Sequence, residues 1–181
     1  MDFEFKNKIA STKDLLVVPV FTENLNKSPV KLTLAIKDFI DMAAKNESFK
    51  AAFGEVFFTH HANKDLPKKL LIIGAGSQSK FTANKARIFG AKIAKFAKQS
   101  KIDKLSILLF PELEKFMEEF TEGLLLVQYD IGKLKIKNKK ENFALKELEF
   151  ITKNDTKNLS AKFNKAQNIA ETVSLIKDLV N

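Results

Sequence analysis

No cysteine and no tryptophan occur in this chain, tyrosine occurs once, and Arg87 is the only arginine. The lack of cysteine removes disulfides, thiolate zinc sites and a cysteine nucleophile at one stroke. It fits a reducing cytoplasm. No apolar run approaches the ~18 residues needed to span a bilayer. The amino terminus, Met1 to Lys6, alternates charge with Phe and lacks the apolar core of a signal peptide, so no membrane partner is expected. Glycine (6) and proline (4) are too scarce for a low-complexity or collagen-like chain.

What is present describes a globular domain. The 181 residues suit one domain, 45% of them are hydrophobic, and 17 phenylalanines make the core aromatic. A chain of this length buries roughly 70% of its unfolded surface, enough for a core without staples. The net charge is +9, and lysine supplies all of the 31 basic residues but one. Base-edge readout and bidentate phosphate clamps favour the planar fork of arginine. The charge therefore reads as a solubilising surface rather than as sequence-specific nucleic-acid recognition. Lysine patches remain the feature through which a nucleic acid would bind. The densest is Lys133, Lys135, Lys137, Lys139 and Lys140, flanked only by Tyr129 and Phe143 for base stacking.

Periodicity yields the order β–β–α–β–β–α–β–α–β–α. Strands are expected around Phe3, Phe5 and Ile9, over Leu15–Val20, Val56–Thr59, Leu70–Ile73 and Leu105–Phe110, and over Leu145–Ile151. Helical spacing covers Leu32 to Lys45 and the stretch after Thr82, an N-cap, with Ala86, Phe89, Ile93 and Ala97 as its stripe. Pro111 opens one helix carrying Leu113, Phe116, Met117, Phe120 and Leu124. The last helix holds its stripe from Leu159 to Val180. Alternating elements of this kind imply an α/β fold with a mixed, mostly parallel sheet and helices on both faces. The stripe of the last helix reaches Val180; either Asn181 caps it as a natural terminus with a frayed end or, the preferred reading, the chain is expected to continue past Asn181.

Candidate sites are few. Gly74-Ala75-Gly76-Ser77, between a strand and a helix, could aim backbone N–H groups at an anion, so Gly74, Gly76 and Ser77 are candidates for a phosphate, nucleotide or ADP-ribose site. The dinucleotide fingerprint would place a third glycine where Ser79 stands, and no Walker sequence occurs. His60 and His61 are adjacent, and on a strand they point to opposite faces, away from a shared metal. Glu114 and Glu118 lie four apart on a predicted helix and could share a face. Lys115 between them favours a solvated surface. No Gly-x-Ser-x-Gly elbow is present.

Three segments carry a resemblance. Lys68 to Gly76 with Phe81-Thr82 and the Arg87-x-x-Gly-Ala helix form the first. Phe120-Thr121-Glu122-Gly123-Leu124 through Asp130 form the second, and Ala170 through Asp178-Leu179-Val180-Asn181 the third. In this order they resemble the amino-terminal domain of the leucyl (cytosol) aminopeptidase family. The resemblance covers positions 68–181; positions 1–67 fit only by their strand pattern. Lys177 stands where the family has arginine, and Ile131 where an aromatic is common.

The resemblance implies a macro-domain-like fold for the single domain 1–181, with 157–181 as the helix linking it to a catalytic domain beyond Asn181. It implies a cytoplasmic homohexamer that removes amino-terminal residues from peptides with two divalent metals, zinc or manganese. The partners of this domain would be its own catalytic domain and neighbouring subunits, with a role in assembly and in access to the active site. The family's catalytic and metal-binding residues lie in that later domain. No catalytic residue, cofactor or metal ligand is therefore carried over to this chain.

Overall fold

The computed structural model describes residues 2–9, 13–25, 34–45, 49–128 and 143–180. Its elements are β1 (Asp2–Lys6), β2 (Leu15–Phe21), α1 (Leu34–Lys45), β3 (Val56–His60), β4 (Lys69–Gly76), α2 (Ala83–Gln99), β5 (Lys104–Leu108), α3 (Pro111–Lys115), α4 (Met117–Leu126), β6 (Glu147–Ile151) and α5 (Thr156–Val180). The six strands form one sheet in the order β1-β6-β5-β2-β4-β3. Every pairing is parallel except that of edge strand β3 with β4. The predicted α/β class holds, and so does the element order except for one helix that the structure divides.

Alternation along the buried strands sends two sets of side chains to opposite faces. Leu15, Val17, Leu71, Ile73, Ile107, Leu148 and Phe150 meet α2, α4 and α5 through Phe89, Ile93, Phe120 and Phe163. Leu16, Val18, Leu70, Ile72, Leu108 and Ile151 meet α1 through Ile36, Ile40 and Ala43. Helices thus cover both faces, α2, α3, α4 and α5 on one and α1 on the other. Of the described residues between β1 and β2, Ile9 packs on the α1 face. Connections over that face step towards β3, and those through α2 and α4 step towards β1. This is the arrangement in which all crossovers share one hand.

Two helix ends follow directly from residue chemistry. Thr82 caps α2 by accepting a hydrogen bond from the Lys85 amide at 3.4 Å. At the other end Ile102 N–H donates to Ala97 O and Lys101 N–H to Lys98 O, the paired bonds of a Schellman turn. Lys101 takes the left-handed conformation there (φ 53°), where glycine is the usual residue.

One predicted helix is two. The segment opened by Pro111 breaks at Phe116 (φ −104°, ψ 34°), and α4 starts afresh at Met117. The break lets Leu113 and Phe120, both fully buried, reach the same core from differently directed helices. Nothing in the 3.6-residue spacing signals it.

Of the three segments that carry the family resemblance, the first two meet across the α2–α4 seam. Arg87 Nη2 pairs with Glu122 Oε2 at 2.8 Å, and Nε donates to the same oxygen. Gly90 lies against the carbonyl of Phe120 and Gly123 against that of Arg87, so closely that a Cβ on either would sit 2.2 or 1.9 Å from those oxygens. Both motifs are therefore packing devices.

Candidate functional site

Two cavities lie at the carboxyl ends of the parallel strands. Along the sheet the strand order reverses at β2, since the chain steps one way to β4 and returns the other way to β5. Ligand clefts of open α/β sheets sit at such a reversal. β2 and β5 pair only from Leu15 to Val17, then diverge. Pro19, which has no N–H to offer, stands just past that divergence. A cavity of about 250 Å³ opens there, lined by Val18, Pro19, Phe21, Leu108, Phe110 and Gln78. Beside it a larger cavity of about 760 Å³ follows the ends of β5 and β6.

The Gly74–Ser77 turn borders this edge and bonds to groups of the protein itself. Gly74 N–H donates to Glu55 O (2.8 Å) and Gly76 N–H to Ala51 O (3.1 Å). A Cβ on Gly74 would lie 2.1 Å from Ala52 O, so glycine is required there by the crossing 51–55 loop. Ser77 Oγ donates to Glu23 Oε1 at 2.6 Å, and the Gln78 amide donates to the same carboxylate. These bonds hold the Glu23 carboxyl below its ordinary range, with the Ser77 hydroxyl the largest cause. At this turn the protein's own Glu23 carboxylate accepts the hydrogen bonds of the Ser77 hydroxyl and the Gln78 amide.

The remaining candidates separate. His60 is exposed beside Phe58, whereas His61 packs on Phe39 with ring centroids 4.8 Å apart. The break at Phe116 parts Glu114 from Glu118. Glu118 pairs with Lys165 at 2.8 Å, while Glu114 accepts from Thr152 and from Asn154 Nδ2. Among the described residues no three His, Asp or Glu side chains converge as a metal site would require. They do not fit a divalent pair. The lysine cluster from Lys133 to Lys140 lies outside the described residues.

An ionic ladder, absent from the sequence reading, covers the sheet over β1, β6 and β5 on the α1 side. Lys13 lies 2.6 Å from Glu147 and 3.5 Å from Glu4, Lys104 lies 2.7 Å from Glu147, and Lys6 bridges Glu4 and the fully buried Glu149 at 2.9 Å each. Ser106 Oγ also donates to Glu149. Lys104, first, and Lys13 hold the Glu147 carboxyl at about 2. Burial opposes the charge on Lys13, but Glu147 overrides it and raises the ammonium above its usual value. The ladder fastens the β1–β2 crossover, a structural task. Glutamates two apart on β6 were its only sequence signal.

A last exposed feature is the far end of α5. Leu159, Phe163, Ala166 and Ala170 are buried, but Leu175, Ile176, Leu179 and Val180 are 54–81% exposed.

Comparisons with known proteins agree with this architecture. Residues 17–138 match the family described as the cytosol aminopeptidase family, N-terminal domain. A probable cytosol aminopeptidase of Clostridium perfringens is 26% identical over 187 residues, covering 99% of this chain and 37% of that protein. Among solved structures, a tomato leucine aminopeptidase mutant superposes with a TM-score of 0.77 at 15% identity, over 100% of this chain and 38% of the other. The bottromycin maturation enzyme BotP in complex with Mn gives 0.63 at 17% identity, over 94% and 32%. The chain thus spans about a third of the length of its curated relatives.

Proposed function

The chain belongs to the cytosol aminopeptidase family, matching its amino-terminal domain, and from that premise we propose that it is the non-catalytic amino-terminal domain of a two-metal leucyl aminopeptidase. In this reading the domain contributes to subunit assembly and shapes access to an active site built elsewhere in the protein. Zinc or manganese, held by the catalytic domain, supplies the Lewis acid for amino-terminal peptide-bond hydrolysis. The whole enzyme works in the cytoplasm as a homohexamer, and the partners of this domain are its own catalytic domain and neighbouring subunits.

The observation that carries the reading is the unequal burial along α5. A helix of 25 residues is about 37 Å long. Its first half seals the sheet through Leu159 and Phe163, but its second half offers Leu175, Ile176, Leu179 and Val180 to solvent. Four large apolar side chains on two successive turns are a face made to be covered. A linker helix leading into a catalytic domain presents such a face.

The test is hydrolysis of leucine-p-nitroanilide by the purified 181-residue chain with added manganese or zinc. No turnover above the metal-only blank is expected. Metal-dependent turnover that co-purifies with the chain and vanishes on chelation would overturn the proposal.

A further inference from the structure

The larger cavity at the carboxyl edge, about 760 Å³, falls within the size range of sites that hold small organic molecules. Its walls are of two kinds. Ile36, Leu66, Leu108 and Ile151, all buried, give it apolar sides, and Glu114 lines it together with Thr152 and Asn154. The Glu114 carboxylate is held by neutral donors alone. Thr152 Oγ1, on a residue only 6% exposed, donates to Oε1, and Asn154 Nδ2 donates to Oε2 at 2.6 Å. Lys162 approaches only the backbone, with Nζ 3.3 Å from the Glu114 carbonyl. Among the described residues no cation pairs with this half-buried carboxylate, although the protein carries a net charge of +9.

A carboxylate fixed in orientation beside apolar surface, with no counter-ion, is complementary to a cation that brings apolar surface of its own. An anionic ligand fits less well. Glu112 and Glu114 occupy the first turn of α3, and the lysines that line the cavity, Lys8 and Lys153, are exposed. We propose that this cavity binds a primary ammonium ion carried on an apolar body, the ammonium on Glu114 and the body against Leu108 and Ile151. The inference stands on the cavity and its uncompensated carboxylate, and it is independent of the family reading.

The experiment is a titration of the ¹⁵N-labelled chain, followed by amide shifts in NMR, with three ligands of one shape. These are 4-phenylbutylamine, the neutral 4-phenylbutanol and the anionic 4-phenylbutyrate. The amine should bind with a Kd of about 1 mM or tighter, with the largest shifts at Leu108, Glu114 and Thr152. The alcohol should bind about tenfold more weakly, the ratio that one charge-assisted hydrogen bond commands. Glu114→Gln should lower the amine to the level of the alcohol and leave the alcohol unchanged. No localised shifts at about 10 mM amine would overturn the proposal, since affinity that weak is non-specific. Alcohol or butyrate binding as tightly as the amine would overturn it too. Because the three ligands are compared on the unaltered chain, the result does not depend on how well the variant folds.

Discussion

Adding one methyl group at Gly123 should unfold the protein several degrees earlier. The Cβ of Gly123→Ala would lie 1.9 Å from the Arg87 carbonyl oxygen and 2.8 Å from its carbon, where ordinary contact begins at 3.4 Å. Both obstructing atoms are backbone, so no side chain can swing aside. Relief requires α2 and α4 to part by about 1.5 Å, a gap wide enough to forfeit much of the dispersion attraction in the seam. That seam contains Phe89, Ile93, Phe120 and Leu124, all fully buried. Overpacking costs about 1–3 kcal/mol, and backbone obstruction on the opposing helix puts this site near 3. Alanine recovers about 1 kcal/mol over glycine in a helix. The net loss is about 2 kcal/mol, which for a domain of this size lowers Tm by about 4–8 °C. Urea unfolding followed by circular dichroism measures it directly. Gly90→Ala strains the same seam through Phe120 O at 2.2 Å, so the double variant should lose less than the two single losses added together. A Gly123→Ala protein as stable as its parent, or more stable, would refute the close approach of these helices.

Two further outcomes follow from local geometry. Lys101→Gly should stabilise the protein by about 1 kcal/mol, since Lys101 holds a left-handed backbone (φ 53°) and is not needed as a side chain for the turn; an unchanged urea midpoint would count against the Schellman geometry. Glu147 is held at about 2 by Lys104 and Lys13. A depressed carboxyl stabilises the fold above its unfolded value of 4.5, and that stabilisation is lost as pH falls from there towards 2. Tm should therefore fall across this window, and Glu147→Gln should flatten the fall. A variant with the same acid slope as its parent would show that the ladder does not form.

Where one segment's own chemistry decided its conformation, the sequence was legible. Thr82 as a cap, the stripe of α2 and the apolar runs of β2, β4 and β5 all depend on neighbours within a few residues. The same holds for the start of α3 at Pro111, but not for its end. The break at Phe116 lets Leu113 and Phe120 both reach the core, and no local window signals it. The partners of the Gly74–Ser77 turn were illegible for a related reason. Glycine there is explained by the loop at Ala51 and Ala52, which comes from more than twenty residues away. The ionic ladder was invisible because Lys6, Lys13, Lys104 and Glu149 belong to four separate segments of the chain.

By itself, then, the sequence determined most of the secondary structure, the α/β class, the phenylalanine-rich core and the family to which the chain belongs, because periodicity, caps and short motifs are local properties. Only the tertiary structure decided the strand order, with β2 and β5 parting after Val17 to open the carboxyl-edge cavities. It alone placed Glu23 against Ser77 and Gln78, set Arg87 and Gly90 against Glu122 and Gly123, and brought Glu114 to Thr152 and Asn154. Each of these joins residues distant along the chain, and what brings them together is the burial of both faces of one sheet.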